Sequence, residues 1–217
     1  GLFALADEHG VALIGGDTTK GPLTISVTIL GEVERGRALR RSGAKAGDDI
    51  WVSGTVGDAA LALAHLKRGI SLAPHDVAAL LPRLHIPTPR VKLGQKLLGL
   101  AHSAIDISDG LLADLGHILQ ASKVGAEIDV DAVPVSTAVR AYLEQDAARE
   151  AVLAGGDDYE LCFTAAPTHR ADIEALGRRL KLDLTRIGSI TRRKGLALHD
   201  AQGQAVTWEH TGFDHFA

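Results

Sequence analysis

The fold is decided by residues 104–119, which read AIDISDGLLADLGHIL. Residues 104–107 predict a short strand. Leucine and isoleucine then recur at positions 111, 112, 115, 118 and 119, the spacing of an amphipathic helix. An acidic turn, with Asp106 before it and Asp109 within it, joins the two elements. A strand, an acidic turn and a helix in this order indicate an α/β protein whose polar groups collect where strands end.

The same alternation continues on both sides of this stretch. We predict further helices at 58–67 and 137–153 and from Pro167, and further strands at 49–53, 126–130, 159–164, 184–190, 195–199 and 205–209. Strict βαβ order is missing, and the last two strands are joined by a turn. The sequence therefore predicts the α/β class, with a mixed sheet and packed helices, for a complete C-terminal domain over residues 36–217.

The first 35 residues have a different pattern. The end of a helix, stopped by Gly10, precedes two apolar runs at 11–14 and 23–33 with the polar loop GGDTTKGP between them. We interpret residues 1–35 as the remnant of a β-rich, N-terminal ATP- and metal-binding domain. Because the chain begins with Gly inside a helical pattern and contains no Met, we expect it to be a piece of a longer protein.

Charge and composition exclude several functions. The chain has 23 Lys and Arg against 27 Asp and Glu, a formal net charge of −4, so we expect no nucleic-acid partner. No apolar run approaches the ~18 residues that cross a bilayer, so we expect no membrane partner. The single cysteine, Cys162, excludes an internal disulfide and fits a cytoplasmic location. We expect it to be packed in a strand rather than nucleophilic.

Four acidic segments are the candidate sites, and they read GGDTT from Gly15, GTVGD from Gly54, DISDG from Asp106 and GGDDYE from Gly155. We expect Asp17, Asp106 and Asp109 to meet at the carboxyl ends of strands. Asp109 or its neighbour Ser108 could instead only cap the following helix. Asp106, expected at the end of a buried strand, would need a cation or hydrogen bonds to compensate its charge. Carboxylates favour Mg²⁺, and the ten histidines show no zinc-ligand spacing.

Several smaller signals leave alternatives open. The pairs Gly15-Gly16 and Gly155-Gly156 form either tight turns or loops that approach a ligand. The loop before Asp58 could offer amides to a phosphate, although it lacks the lysine of a Walker A loop. Arg41 could clamp a phosphate or lie on a solvated face. No GxSxG elbow is present, which argues against a serine hydrolase.

Taken together, eight blocks resemble the thiamine-monophosphate kinase family in order and spacing: GGDTTKGP, RRSGAKAGD, GTVGDAA, PTPR, AIDISDGLLADLGHIL, GAEIDVDAVP, GGDDYELCFT and GFDHF. The resemblance implies the superfamily of aminoimidazole ribonucleotide synthetase, with a PurM-like C-terminal fold. It also implies ATP-dependent phosphorylation of thiamine monophosphate to thiamine diphosphate. The cofactors implied are ATP and Mg²⁺, and a homodimer is implied for the full-length protein.

The resemblance assigns roles residue by residue. It implies that Asp17, Asp106 and Asp109 are Mg²⁺ ligands and that the nucleotide is contacted by Gly16, Asp17, Arg41 and Ser108. It implies that Asp157, at a position that is usually Glu in the family, and Phe213 contact the substrate. No catalytic nucleophile or base is expected, because the acceptor phosphate, with a second pKa near ~6, is already an anion.

Two alternatives to the kinase stay open. One is another ATP-using synthetase of the same superfamily. The other is a binding module without catalysis, since the family has a further N-terminal portion that carries more Mg²⁺ ligands and a substrate-binding histidine. We expect this chain to be inactive on its own for that reason.

Overall fold

The computed structural model describes residues 1–208 and 212 of the 217-residue chain. These residues form two compact units, Gly1–Ala38 and Leu39–Ala217. In the described part of the chain, no helix has both the length and the apolar character needed to cross a membrane.

The first unit contains one helix, α1 (Leu2–His9), which ends at Gly10 in the left-handed conformation. The strands predicted at 11–14 and 23–33 are wrong, since no strand forms between residues 10 and 38. Side chains of the second run are largely exposed, with Leu23 at 93% and Ile25 at 80%. A strand needs a neighbour for its backbone groups, and within residues 1–38 these runs pair with none.

The second unit is built from seven strands and seven helices in the described part of the chain. The strands are β1 (Asp49–Ser53), β2 (Ala101–Asp106), β3 (Gly125–Asp129), β4 (Leu161–Ala165), β5 (Leu184–Thr191), β6 (Gly195–His199) and β7 (Ala205–Val206). The helices are α2 (Asp58–Leu66), α3 (Pro74–His85), α4 (Val91–Lys96), α5 (Leu111–Ser122), α6 (Thr137–Arg140), α7 (Asp146–Leu153) and α8 (Arg170–Leu180). Short 3₁₀ turns at Val130–Ala132 and Pro167–His169 join neighbouring elements.

The strands form one mixed sheet in the order β2-β4-β1-β5-β3-β6-β7. Neighbours are antiparallel except β3 and β6, which are parallel. The predicted α/β class with a mixed sheet is therefore confirmed. Asp106 pairs with Leu161, and Ser53 with Leu184. We call the edge where β1 and β2 end and β4 and β5 begin the Asp106 edge.

The core lies on both faces of the sheet. Every residue of β1 is buried. One cluster packs α5 against the sheet through Leu115 and Ile118, and a smaller one contains Trp51 and Phe163. The rings of Trp51 and Phe163 are paired across β1 and β4, with centroids 6.3 Å apart. Central strands buried on two faces hold the ends of β1, β2 and β4 in fixed positions, and the candidate site is built on those ends.

One predicted helix is interrupted. The region predicted as a single helix over 137–153 forms α6 and α7, separated by a turn. In that turn the hydroxyl of Tyr142 donates to Asp76 at 2.7 Å and accepts from the N–H of Ala73 at 2.8 Å. This tertiary contact with α3 is absent from any local pattern, so the sequence alone predicted a continuous helix.

Candidate functional site

Two acidic segments meet at the Asp106 edge. The N–H of Ile107 donates to the carbonyl of Glu160 at 2.8 Å, and the N–H of Tyr159 donates to the carbonyl of Ile107 at 2.8 Å. One step further, the N–H of Asp157 donates to the carbonyl of Ser108 at 3.0 Å. These bonds continue the β2 and β4 pairing past the end of the sheet. The DISDG turn and the GGDDYE segment, which are far apart in the sequence, are thereby held side by side.

The GGDDYE segment directs successive residues to different neighbours. Asp157 and Tyr159 both have left-handed backbones, with φ of 68° and 52°, and their N–H groups bond the DISDG side. The side chains of Asp158 and Glu160 instead bond the β1 side, where they accept from the N–H of Gly57 and the hydroxyl of Ser53 respectively. Positive φ is uncommon for residues other than Gly, and such strain collects at functional sites. The GGDDYE segment therefore lies between two polar environments, one on the DISDG side and one on the β1 side.

On the DISDG side, the charges of three carboxylates act on a tyrosine. The pKa of Tyr159 is raised by burial first and then by the negative charges of Asp157, Asp106 and Asp109. Its hydroxyl donates to Asp157 Oδ1 at 3.3 Å. These charges therefore act on one small region, although they come from two distant stretches of sequence. A field of this sign favours a cation or a positively charged ligand group.

The turn itself is held by Asp114, which the sequence analysis missed. Its Oδ2 accepts the N–H groups of Ser108 and Asp109 at 3.0 Å and that of Gly110 at 3.2 Å. Burial raises the pKa of Asp114, and only 2% of the residue is exposed. The helix α5 begins after Gly110, which has no side-chain cap. Asp114 reaches back from the first turn of α5 and binds the amides of the residues before the helix, so it fixes the turn that carries Ser108 and Asp109.

Asp106 is more exposed than predicted. Ile105 and Ile107 are buried, while Asp106 between them is exposed, because successive side chains of a strand face opposite sides. The expectation of a buried Asp106 whose charge needs compensation is therefore wrong. Exposure leaves this carboxylate open to a ligand from solvent.

The loop at the end of β1 does not offer free amides to a phosphate. The N–H groups of Gly54 and Val56 donate to the carbonyls of Asp183 and Pro134, at 2.9 and 3.0 Å. The N–H of Gly57 donates to Asp158 Oδ2 at 2.8 Å. A buried carboxyl and two carbonyls therefore occupy three N–H groups of this loop, which argues against the phosphate interpretation.

The glycine pairs have different roles. A Cβ at Gly156 would lie 2.2 Å from the Ser108 carbonyl oxygen, and one at Gly155 would lie 2.3 Å from Ala60 Cβ. This pair allows the GGDDYE backbone to touch DISDG and α2, so its role here is close packing. At Gly15 and Gly16 nothing lies within 4 Å of such a Cβ.

The structure brings some of the predicted residues together. Asp106, Ser108, Asp109 and Asp157 share the Asp106 edge. Arg41 is exposed, its carbonyl accepts from the Ser122 hydroxyl at the end of α5, and the preceding residue bonds the N–H of Ala104 within β2.

The remaining predicted residues lie elsewhere or are not described. Gly16 and Asp17 belong to the first unit, where Asp17 Oδ1 accepts the N–H of Thr18 at 2.7 Å. Phe213 lies outside the described residues. Cys162 is fully buried in β4, and burial raises its pKa to about 12, so it is packed as predicted.

The chemistry of this edge fits Mg²⁺. Burial and then the charges of Asp157, Asp106 and Asp109 raise the pKa of Tyr159, so three carboxylates act on this edge, and Mg²⁺ prefers oxygen ligands. Within residues 1–208 and 212, no three His, Cys, Asp or Glu side chains are grouped as a metal site. Mg²⁺ usually binds through one or two carboxylates together with substrate phosphates and water. Residues 106 and 109 could supply such carboxylates.

A match to a known protein family identifies the superfamily of the C-terminal domain. Residues 45–201 match the family described as AIR synthase related protein, C-terminal domain. This range includes β1 through β6 and both acidic segments of the Asp106 edge. The fold and the resemblance to the aminoimidazole ribonucleotide synthetase superfamily are thus confirmed.

Individual relatives that match most of the chain identify the family within this superfamily. The thiamine-monophosphate kinase of Salmonella typhimurium is 44% identical over 217 residues, which is 100% of this chain and 67% of that protein. The crystal structure of thiamine-monophosphate kinase from Stenotrophomonas maltophilia is 53% identical, with a TM-score of 0.86 over 94% of this chain and 65% of that one. The chain belongs to the thiamine-monophosphate kinase family and spans about two thirds of the length of these relatives.

One similar solved structure contains bound ligands. The structure of AaThiL complexed with AMPPCP and TMP is 33% identical to this chain, with a TM-score of 0.65. The match covers 82% of this chain and 54% of that one.

Proposed function

We propose that the protein carrying this chain transfers the γ-phosphoryl group of ATP to thiamine monophosphate, giving thiamine diphosphate and ADP. The observation that carries the proposal is the junction of DISDG with GGDDYE, where carboxylates from two segments act on one region. Family membership and the relative bound to AMPPCP and TMP support it.

The proposed roles follow the family resemblance. Asp17, Asp106 and Asp109 would hold Mg²⁺, and Gly16, Arg41 and Ser108 would contact the nucleotide. Asp157, with Phe213, would contact the thiamine substrate. Mg²⁺, when bound, would neutralise phosphate charge and align the γ-phosphorus with the attacking oxygen.

The residues of this chain would position the reactants, and none of them is needed as a general base. The acceptor oxygen is an anion at neutral pH, so no side chain has to remove a proton. Asp114 fixes the amides of the DISDG turn, and the bond from Asp157 to Ser108 fixes the distance between the two segments. Phosphoryl transfer depends mainly on such positioning and on charge stabilisation. We propose direct transfer with no phosphoenzyme and, in the full-length protein, a homodimer.

The acceptor distinguishes this function from the alternatives. With full-length protein, Mg²⁺ and ATP, we expect ADP and thiamine diphosphate to form in equal amounts from thiamine monophosphate. Thiamine, which has no phosphate, is the matched control and should give neither product. Equal turnover with thiamine, or ADP without thiamine diphosphate, would favour another ATP-using enzyme of the superfamily. No turnover with either would favour a binding module.

A further inference from the structure

A cavity of about 440 Å³ lies beside the end of β1. Its walls come from the loop after β1, from α3, from the start of α6 and from residues 181–183 before β5. DISDG follows β2, and β4 separates β2 from β1 in the sheet. None of the residues proposed above for the metal, nucleotide or substrate lines this cavity. It belongs to the second environment of the GGDDYE segment, the one that Asp158 and Glu160 face.

Both carboxylate oxygens of Glu160, which lines this cavity, already accept hydrogen bonds. Glu160 is 1% exposed, and its Oε2 accepts from the Ser53 hydroxyl at 2.5 Å and from Arg90 Nε at 2.7 Å. Its Oε1 accepts from Arg83 Nη2 at 2.7 Å and also from Arg90 Nη2. A carboxylate with four charged or polar donors has little capacity for a further cation.

The second carboxylate is likewise closed to a ligand. Asp58 Oδ2 accepts from the Thr55 hydroxyl at 2.6 Å and lies 3.6 Å from Arg83 Nε. Asp58 Oδ1 is buried and has no hydrogen-bond partner among the described residues, and burial shields it from a ligand in the cavity. At the rim, Lys181 and Asp183 are both exposed and offset each other's charge.

Arg83 and Arg90 each keep N–H groups that the acids of the cavity do not bind. The side chains of Arg83 and Arg90 are 24% and 17% exposed, and both line the cavity. Among the described residues, the Nη1 group of neither arginine has a hydrogen-bond partner. A guanidinium whose position is fixed by one carboxylate and which still presents N–H groups is suited to bind a second anion.

We propose that this cavity is a second ligand site, which takes a small organic anion with an apolar body. The free N–H groups of Arg83 and Arg90 would bind its carboxylate or phosphate group. Leu80, Ala138 and Leu182 supply apolar wall for the rest of the molecule. The volume is in the range of small-molecule sites, roughly 300–1,000 Å³. The proposal depends on the β1 side of the segment and is independent of the proposed phosphoryl transfer.

Binding of simple probes tests the site. Titration calorimetry on the full-length protein in metal-free buffer would compare phenyl phosphate and benzoate, with benzyl alcohol as the uncharged control. The blocking variant is Ala79→Trp, because Ala79 is exposed on α3 and lines the cavity. The matched control is Ala78→Trp, which is also exposed on α3 but does not line the cavity.

We expect at least one anion to bind the unmodified protein and the Ala78→Trp variant, and benzyl alcohol to bind neither. Ala79→Trp should weaken that binding at least about tenfold, or 1.4 kcal/mol. Which anion binds identifies the acid group that the natural ligand carries. Absence of binding at about 10 mM of both anions, or equal binding by the Ala79→Trp variant, would overturn the proposal. Thiamine monophosphate turnover should stay unchanged in both variants, so failure of this site is separate from failure of the kinase assignment.

Discussion

The N–H of Asp157 donates to the carbonyl oxygen of Ser108 at 3.0 Å. This bond joins the loop after β2 to the loop before β4 and holds the candidate substrate contact beside the candidate nucleotide contact. It lies beyond the last ladder pair, Asp106 with Leu161, so the sheet determines its position.

Asp106→Asn in the full-length protein should lower kcat by at least about a hundredfold and leave the fold intact. The substitution removes a charge from an exposed position, so little stability depends on it, whereas metal binding would weaken. Steady-state assays at several Mg²⁺ concentrations and a thermal melt measure the two effects. Asp172→Asn, at a 63% exposed carboxylate on α8, is the control and should change neither. Unaltered kcat for Asp106→Asn at saturating Mg²⁺ would contradict the proposed metal role.

Gly156→Ala should destabilise the protein by about 1–3 kcal/mol, because the new Cβ would lie 2.2 Å from the Ser108 carbonyl oxygen. Turnover should fall as well, since the two loops must separate. Urea denaturation and kinetic assays measure both changes. The control is Gly116→Ala within α5, where nothing lies within 4 Å and helix propensity should add up to about 1 kcal/mol of stability. Equal stabilities for the two variants would show that the loops are not in contact.

Asp114→Ala should lower the free energy of unfolding by about 1–3 kcal/mol, because three N–H groups lose their common acceptor. Asp114→Asn is the matched variant. All three bonds go to a single oxygen, Oδ2, so the amide oxygen of Asn can replace it. We expect chemical denaturation to place Asp114→Asn close to the unmodified protein. Similar losses for Ala and Asn would mean that the negative charge, rather than the acceptor, supports the turn.

Asp158→Asn should remove part of the pH dependence of stability. Burial, with a smaller contribution from the charge of Asp58, raises the pKa of Asp158 to about 8. The folded protein therefore keeps a proton that the unfolded chain releases above its ordinary pKa of about 4. Since the folded state binds more protons in this window, stability falls as pH rises from about 4 to about 8 and then levels off.

The amide of Asn does not ionise, so its variant should lack this contribution. We expect Asp158→Asn to gain at least about 1.4 kcal/mol relative to the unmodified protein between pH 5 and pH 8, the equivalent of one pKa unit. Urea denaturation at a series of pH values measures the difference. Asp146→Asn, at a side chain 93% exposed, should leave the pH profile unchanged. A constant difference across pH for Asp158→Asn would mean that Asp158 is ionised in the folded protein.

Local sequence patterns predicted the strands and helices correctly where periodic apolar residues of the element itself stabilise it. The strands at 49–53 and 195–199 have the predicted bounds, and α5 has the predicted leucine and isoleucine stripe. The same patterns failed at 23–33, where the alternating apolar residues suit a strand but none pairs with it within the first unit. Strand formation depends on a partner, and a single segment of sequence does not contain it.

For the site, the sequence by itself determined which chemistry is present: carboxylates in Gly-rich loops after strands, and no cysteine or serine nucleophile motif. Side-chain type and local spacing carry that information. Only the tertiary structure decided that Asp157 lies against Ser108, that Asp114 holds the turn, and that Glu160 lines a separate cavity. These facts depend on the antiparallel pairing of β4 with β2 and β1, and strand order follows from packing of the whole core rather than from any one segment.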